Sequence, residues 1–161
     1  MKTYQIKSGN HRSGIFFRPF LKSRLSFCAK FSQSCIYNFN TVDQFDINKL
    51  MGFSRGLHHH NSARIGWRSK EDKIEIVSYC YINKIRIQEE TLAIISPEEN
   101  IYCSIFDKKT SWIISVQTIS FYKKIEIPKD NVIKFGYMLF PYFGGNMTAP
   151  NNMEINIEIN N

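Results

Sequence analysis

Apolar and polar side chains alternate with period two along most of this chain, and a pattern of that period can bury one face only as a β-strand. Leu25, Phe27, Ala29 and Phe31 alternate with Arg24, Ser26, Cys28 and Lys30. Ala63, Ile65 and Trp67 alternate with Ser62, Arg64 and Arg68, and Met153, Ile155, Ile157 and Ile159 alternate with Glu154, Asn156 and Glu158. No apolar stripe of period 3.6 is long enough for a helix. The nearest approach, around residues 43–51, gives one turn at most.

Strands are therefore predicted at 24–31, 49–53, 61–68, 73–82, 85–88, 92–95, 101–106, 111–119, 124–127, 132–140 and 153–159. Ser69-Lys70-Glu71-Asp72 closes a hairpin between 61–68 and 73–82. About ten to twelve short strands joined by turns make an all-β chain, a two-sheet antiparallel β-sandwich or jelly roll. No repeat, low-complexity tract or linker interrupts the 161 residues, so a single β-sandwich domain over 1–161 is expected.

Charge is unevenly placed. Residues 1–70 carry 12 Lys/Arg against 2 Asp/Glu, and residues 71–161 carry 9 against 12. That asymmetry calls for an anionic partner: a polysaccharide, a nucleic acid or an acidic surface. Nucleic acid is the weaker choice, because there is no RNP-type motif, Gly-rich hairpin or basic helix and the cations are scattered over several strands. No stretch reaches the 18 or so apolar residues of a membrane helix, so no membrane partner is expected. The N-terminus has no apolar core of a secretory signal. As written, the chain reads as cytoplasmic; a domain processed from a longer precursor would instead be extracellular or periplasmic. The four cysteines (Cys28, Cys35, Cys80, Cys103) have no C-x-x-C spacing, which points to buried free thiols, with a disulfide open only for an exported protein.

The stretch 48–82 concentrates the chemistry. If Trp67 and Ile76 point inward, Arg64, Arg68, Glu75, Tyr79 and Tyr81 share the outward face of two paired strands, where cross-strand neighbours lie about 5 Å apart. Arginine forks grip carboxylates, and tyrosines offer a flat ring with a hydroxyl, so this face suits an acidic sugar. The competing reading is a structural ladder of Arg64 and Arg68 with Glu75. His58-His59-His60 suggests a metal, but consecutive residues on an extended chain point to opposite sides. At most two could share an ion, with Asp43 or Asp46 completing the site. A polar loop explains them better, so neither metal nor cofactor is expected. Gly144-Gly145 after Pro141-Tyr142-Phe143 marks a tight bend, with Tyr142 and Phe143 stacking on a sugar ring or plugging the end of the sandwich.

The run Lys49-Leu50-x-Gly52-Phe53, Ser62-x-Arg64-x-x-Trp67-Arg68 and Glu75-x-x-x-Tyr79-x-Tyr81 resembles the motif block of jelly-roll polysaccharide lyases of the alginate and glucuronan lyase kind. There a Lys-Leu-Pro-Gly-Leu strand precedes Ser-x-Arg-x-x-Trp-Arg and Glu-x-Tyr-x-Tyr strands. The match covers about 35 residues; Met51 stands where those enzymes have proline, and their preceding glycine pair is absent. The whole chain, with Leu139-Phe140-Pro141-Tyr142-Phe143-Gly144-Gly145 and Ala149-Pro150, also resembles small uncharacterised bacterial proteins of the same arrangement. The lyase resemblance implies a concanavalin-like jelly roll and β-elimination on an acidic, uronic acid polysaccharide. Arg64 or Arg68 would neutralise the sugar carboxylate. The base and acid would come from His59 or His60 and Tyr79 or Tyr81. Lys49, Arg68, Glu75 and Tyr142 would bind substrate. A sandwich with no catalytic site, serving as a structural or interaction domain, is the alternative.

Overall fold

A computed structural model of the protein describes residues 1–14, 16–130 and 133–160. Twelve strands follow in chain order: β1 (Lys2–Ile6), β2 (Arg24–Phe31), β3 (Asn48–Ser54), β4 (Ser62–Lys70), β5 (Lys73–Ile82), β6 (Ile85–Arg86), β7 (Thr91–Ile95), β8 (Asn100–Asp107), β9 (Ser111–Gln117), β10 (Tyr122–Pro128), β11 (Met138–Leu139) and β12 (Met153–Asn160). One sheet has the order β1-β12-β2-β8-β9-β10; the other runs β11-β3-β4-β5, with β6 and β7 both on the far edge of β5. Every ladder is antiparallel. The expected two-sheet antiparallel sandwich is what the chain forms. Among the described residues no helix is long and apolar enough to cross a membrane.

The alternating apolar faces meet between the sheets. Phe27, Phe31, Ile101, Ile105 and Trp112 of the first sheet face Leu50, Phe53, Ile65, Trp67 and Ile76 of the second, all essentially sealed from solvent. The Phe31 and Trp67 rings lie 5.2 Å apart. Burying each side chain of this size contributes roughly 1.5–3 kcal/mol, so the core fixes which face of every strand looks outward. All four cysteines are buried free thiols. Burial pushes the Cys35 and Cys80 thiols up to about 12, far from a reactive thiolate.

Three elements differ from the periodicity. Strand β1 was not expected, because Tyr4 and Ile6 alone are too few apolar residues to announce it. The turn near residue 43 is the 3₁₀ segment Val42–Phe45, and β3 begins at Asn48. Within the expected strand at 132–140, Val132 lies outside the described residues and only Met138–Leu139 is a strand. The flanking backbone divides its hydrogen bonds: Tyr137 and Phe135 carbonyls accept from Ser54 and Gly56, while the Gly136 carbonyl accepts from Phe20 and the Met138 amide donates to Arg18. The segment is thus held between β3 and an N-terminal strap, residues 8–14 and 16–20. Further along, the strap bridges Tyr142 through Arg12 and Tyr137 through Pro19.

Candidate functional site

The outward face of β3, β4 and β5 is the floor of a cavity of about 430 Å³; the strap, the 137–142 segment and the His58-His59 loop are its walls. Strand parity sets the floor. Ala63, Ile65 and Trp67 go inward, so Arg64 goes outward and pairs across the ladder with Tyr79, while Tyr81 sits opposite Ser62. Parity alone would not put both Lys49 and Gly52 on that face. The β3–β4 register shifts between Lys49 and Met51, so Lys49 lies opposite Gly66 and Gly52 opposite Arg64. The extra residue, Leu50, goes to the core. This β-bulge re-aims Lys49 onto the cavity floor. Gly52 is needed there: a Cβ would run into the Ala63 carbonyl, the Arg64 Cα at 2.6 Å and the Arg64 Cγ at 2.9 Å.

Of the side chains singled out from the sequence, the cavity brings together Lys49, His59, Arg64, Tyr79, Tyr81 and Tyr142. Arg68, Glu75 and His60 lie elsewhere. Arg68 shares the outward face but donates from Nε to Glu75 Oε2 at 2.6 Å and from a terminal nitrogen to the Phe45 carbonyl at 3.0 Å. Thr91 Oγ1 donates to the other Glu75 oxygen at 2.8 Å. Burial would raise the Glu75 carboxyl, but the hydrogen bonds from Thr91 and Arg68, with the charges of Arg68 and Lys70, hold it below its ordinary value. This pair lines a separate cleft with Tyr37, Gln44 and Phe45. The structural-ladder reading thus describes Arg68 and Glu75, and not Arg64. The His60 amide donates to the Leu57 carbonyl, closing the histidine loop. Among the described residues, no group of three His, Cys, Asp or Glu could hold a metal.

Three cavity residues with polar side chains had no part in the saccharide reading of the sequence: Arg12, His58 and Tyr137. Arg12 comes from a segment without alternation and Tyr137 from the stretch expected as a strand at 132–140, and both are placed by long-range bridges that no local pattern encodes. The one available signal was the basic N-terminal run. Tyr137 Oη and His58 Nδ1 are hydrogen bonded at 2.7 Å. The His59 ring stands edge-on to Tyr81 at 5.5 Å, and Tyr81 edge-on to Tyr79 at 5.8 Å.

The electrostatics have one sign. Among the described residues no Asp or Glu lines the cavity, whereas Arg12, Lys49 and Arg64 do. Burial, reinforced by Arg64 and Arg86, pulls Lys49 down to about 8. Burial, reinforced by Arg64 and His59, pulls His58 down to about 4, so it is neutral at neutral pH. Burial, with the Tyr81 phenol beside it, pushes Tyr79 up to about 12 and keeps it protonated. Lys49 Nζ sits 4.5 Å over the Tyr79 ring, a cation–π contact, and donates to the Ile47 carbonyl at 2.7 Å.

Arg64 carries the largest imbalance. It is only 9% exposed, and its Nε is buried with no hydrogen-bond partner among the described residues. Burial pulls its pKa down, opposed only by the phenols of Tyr79, Tyr137 and Tyr81 and the Cys80 thiol. A buried, unpaired guanidinium is costly, and proteins keep such groups paired or coordinated. Arg55, more deeply buried still, is fully partnered: Nε donates to Asp107 at 2.6 Å and the terminal nitrogens to the Phe20 and Lys22 carbonyls at 2.9 and 2.7 Å.

No family model matches this chain, and no curated protein matches it, so the lyase-like run stands on its own residues. Solved structures similar to it include chicken galectin 2, at 9% identity and a TM-score of 0.44 over 96% of this chain and 98% of that one. A toad ovary galectin in complex with thio-digalactose is 10% identical, with a TM-score of 0.43 over 98% and 99%. A Bacillus licheniformis GH43 protein is 11% identical, with a TM-score of 0.43 over 94% of this chain and 29% of that one.

Proposed function

We propose that the cavity binds the acidic unit of a polysaccharide, with the sugar carboxylate on Arg64 and the ring against Tyr79, Tyr81 and Tyr142. The observation that carries this reading is the buried Nε of Arg64, which has no partner among the described residues, in a cavity that none of their carboxylates lines. A uronate carboxylate accepts two parallel N–H bonds from a guanidinium and cancels its charge, and aromatic rings pack on the apolar face of a sugar.

The same arrangement supports β-elimination. Neutralising the carboxylate acidifies the adjacent C5–H. His59 takes that proton, the C5–H electrons form the C4=C5 double bond, the C4–O bond breaks, and Tyr81 protonates the departing oxygen. The pairing of His59 with Tyr81 favours these two as base and acid. His60 is not among the residues that line the cavity, and Tyr79, held protonated, serves as a hydrogen-bond donor.

Calorimetry with defined oligouronates, run beside an absorbance assay for the unsaturated product, tests both levels. The expected result is saturable binding that Arg64→Gln weakens tenfold or more, about 1.4 kcal/mol, with the circular dichroism unchanged. Tyr81→Phe abolishes product while binding persists. Binding without any product would leave a binding module without the reaction. Absence of oligouronate binding by the folded protein overturns the reading.

A further inference from the structure

We propose that the unit bound in this cavity carries a second negative group, a sulfate or phosphate ester beside the carboxylate, and that Lys49 and Arg12 recognise it. The inference rests on the acidic-saccharide reading above and narrows its substrate class.

Positive charge in the cavity is split into two centres. Arg64 belongs to one end, with His58, Tyr137 and Tyr81, and the phenols of Tyr79, Tyr137 and Tyr81 act on it directly. Lys49 belongs to the other. Its Nζ is drawn back towards Ile47 by the hydrogen bond to that carbonyl, and it lies 4.5 Å from the Tyr79 ring centre and 5.9 Å from that of Tyr142. Along β4 the backbone levels of the two differ by two residues, Lys49 being opposite Gly66, which is about 7 Å.

Arg12 joins the Lys49 end. It bridges Tyr142 across the strap, as Lys49 does from β3. The neighbouring His11 ring stacks on Tyr142 at 5.3 Å, and His11 Nδ1 is hydrogen bonded to the Phe143 carbonyl at 2.9 Å. The strap that presents Arg12 is therefore held to the 142–143 backbone.

One carboxylate compensates one of these centres. It would leave the half-buried Lys49 ammonium facing only Asp46 among the acids that act on it, the weakest of its influences. Two anionic groups on one saccharide unit compensate both, and a tetrahedral ester offers three acceptor oxygens to an ammonium, a guanidinium and the Tyr142 hydroxyl. Sulfate and phosphate esters share that chemistry.

Calorimetry at a fixed 0.15 M ionic strength, where distant surface charges are largely screened, discriminates. The ligands are a sulfated uronate oligosaccharide, its chemically desulfated counterpart, and a uronate oligosaccharide bearing a phosphate ester. Both esters are expected to bind about tenfold more tightly than the desulfated ligand; a preference confined to one of them identifies the ester. Lys49→Gln should bring the ratio close to one, whereas Arg64→Gln lowers the affinity for every ligand. Lys108→Glu/Lys109→Glu, in a different cleft, should keep the ratio. Cooperative thermal unfolding and an unchanged circular dichroism spectrum establish that the variants fold. A wild-type ratio near one, with the desulfated ligand still bound, overturns this inference and leaves the uronate reading intact. A ratio that survives Lys49→Gln overturns it as well. Failure of all three ligands to bind overturns both.

Discussion

Arg55 and Arg64 stand nine positions apart on one hairpin, are both buried, and face opposite energetic situations. Arg55 is built into the fold: Asp107 holds it together with Lys129, whose Nζ lies 3.1 Å from the other carboxylate oxygen. Trp112 Nε1 donates to that same oxygen at 3.0 Å. Removing the guanidinium would leave Asp107 underpaired and two backbone carbonyls without donors. Arg55→Met is accordingly expected to cost about 3–5 kcal/mol in urea unfolding. Arg64 has no acidic partner to strand. Arg64→Met exchanges an unpaired buried charge for an apolar chain beside the Tyr79 and Tyr81 rings, and should raise unfolding free energy by about 1–3 kcal/mol while anion binding is lost. Opposite signs for two buried arginines are the signature of a structural and a functional role. A loss of stability in Arg64→Met comparable to that in Arg55→Met would mean that Arg64 serves the fold.

At the scale of the element, the β3–β4 pair governs the site. Gly52 leaves the space in which Arg64 lies, and a methyl there meets backbone atoms of Ala63 and Arg64 that have no side-chain freedom to yield. Gly52→Ala should destabilise the protein by about 1–3 kcal/mol and weaken anion binding at the same time, measured by unfolding and calorimetry on the same sample. Normal affinity would show that Arg64 does not depend on this close approach. The face shared by Arg64, Tyr79 and Tyr81 was legible in the sequence because Trp67 and Ile76, at odd and even positions of paired strands, must both go inward. Two things were not legible. Lys49 and Gly52 are an odd number of residues apart and share a face only through the bulge at Leu50, which leaves no composition mark. Arg12 meets Tyr142, and Pro19 meets Tyr137, through single bridges between segments more than a hundred residues apart, where local periodicity carries no information. Arg68 shows the converse limit: parity placed it on the same face as Arg64, but its position opposite Glu75, four cross-strand pairs further on, gave it a different partner and a different cleft.

For the molecule as a whole, the buried basic site ties stability and binding to pH with opposite signs. In the folded protein Lys49 titrates near 8, against the ordinary 10.5 that it regains on unfolding. Between those values the unfolded chain holds a proton that the folded chain has released, so this group makes stability rise with pH across that window. His58, lowered from 6.5 to about 4, acts likewise in acid, its contribution disappearing as pH falls through that interval. An anion beside Lys49 favours the ammonium, so ligand binding above pH 8 must take up a proton, and affinity must fall as pH rises from 8 towards 10. The difference between wild type and Lys49→Met isolates this group from every other contribution to the pH dependence. Thermal midpoints and binding isotherms between pH 7.5 and 10 should give the wild type a more positive stability slope than Lys49→Met and a more negative affinity slope. Equal affinity slopes in the two proteins would mean that the anion does not reach Lys49, and the cavity would then be governed by Arg64 alone.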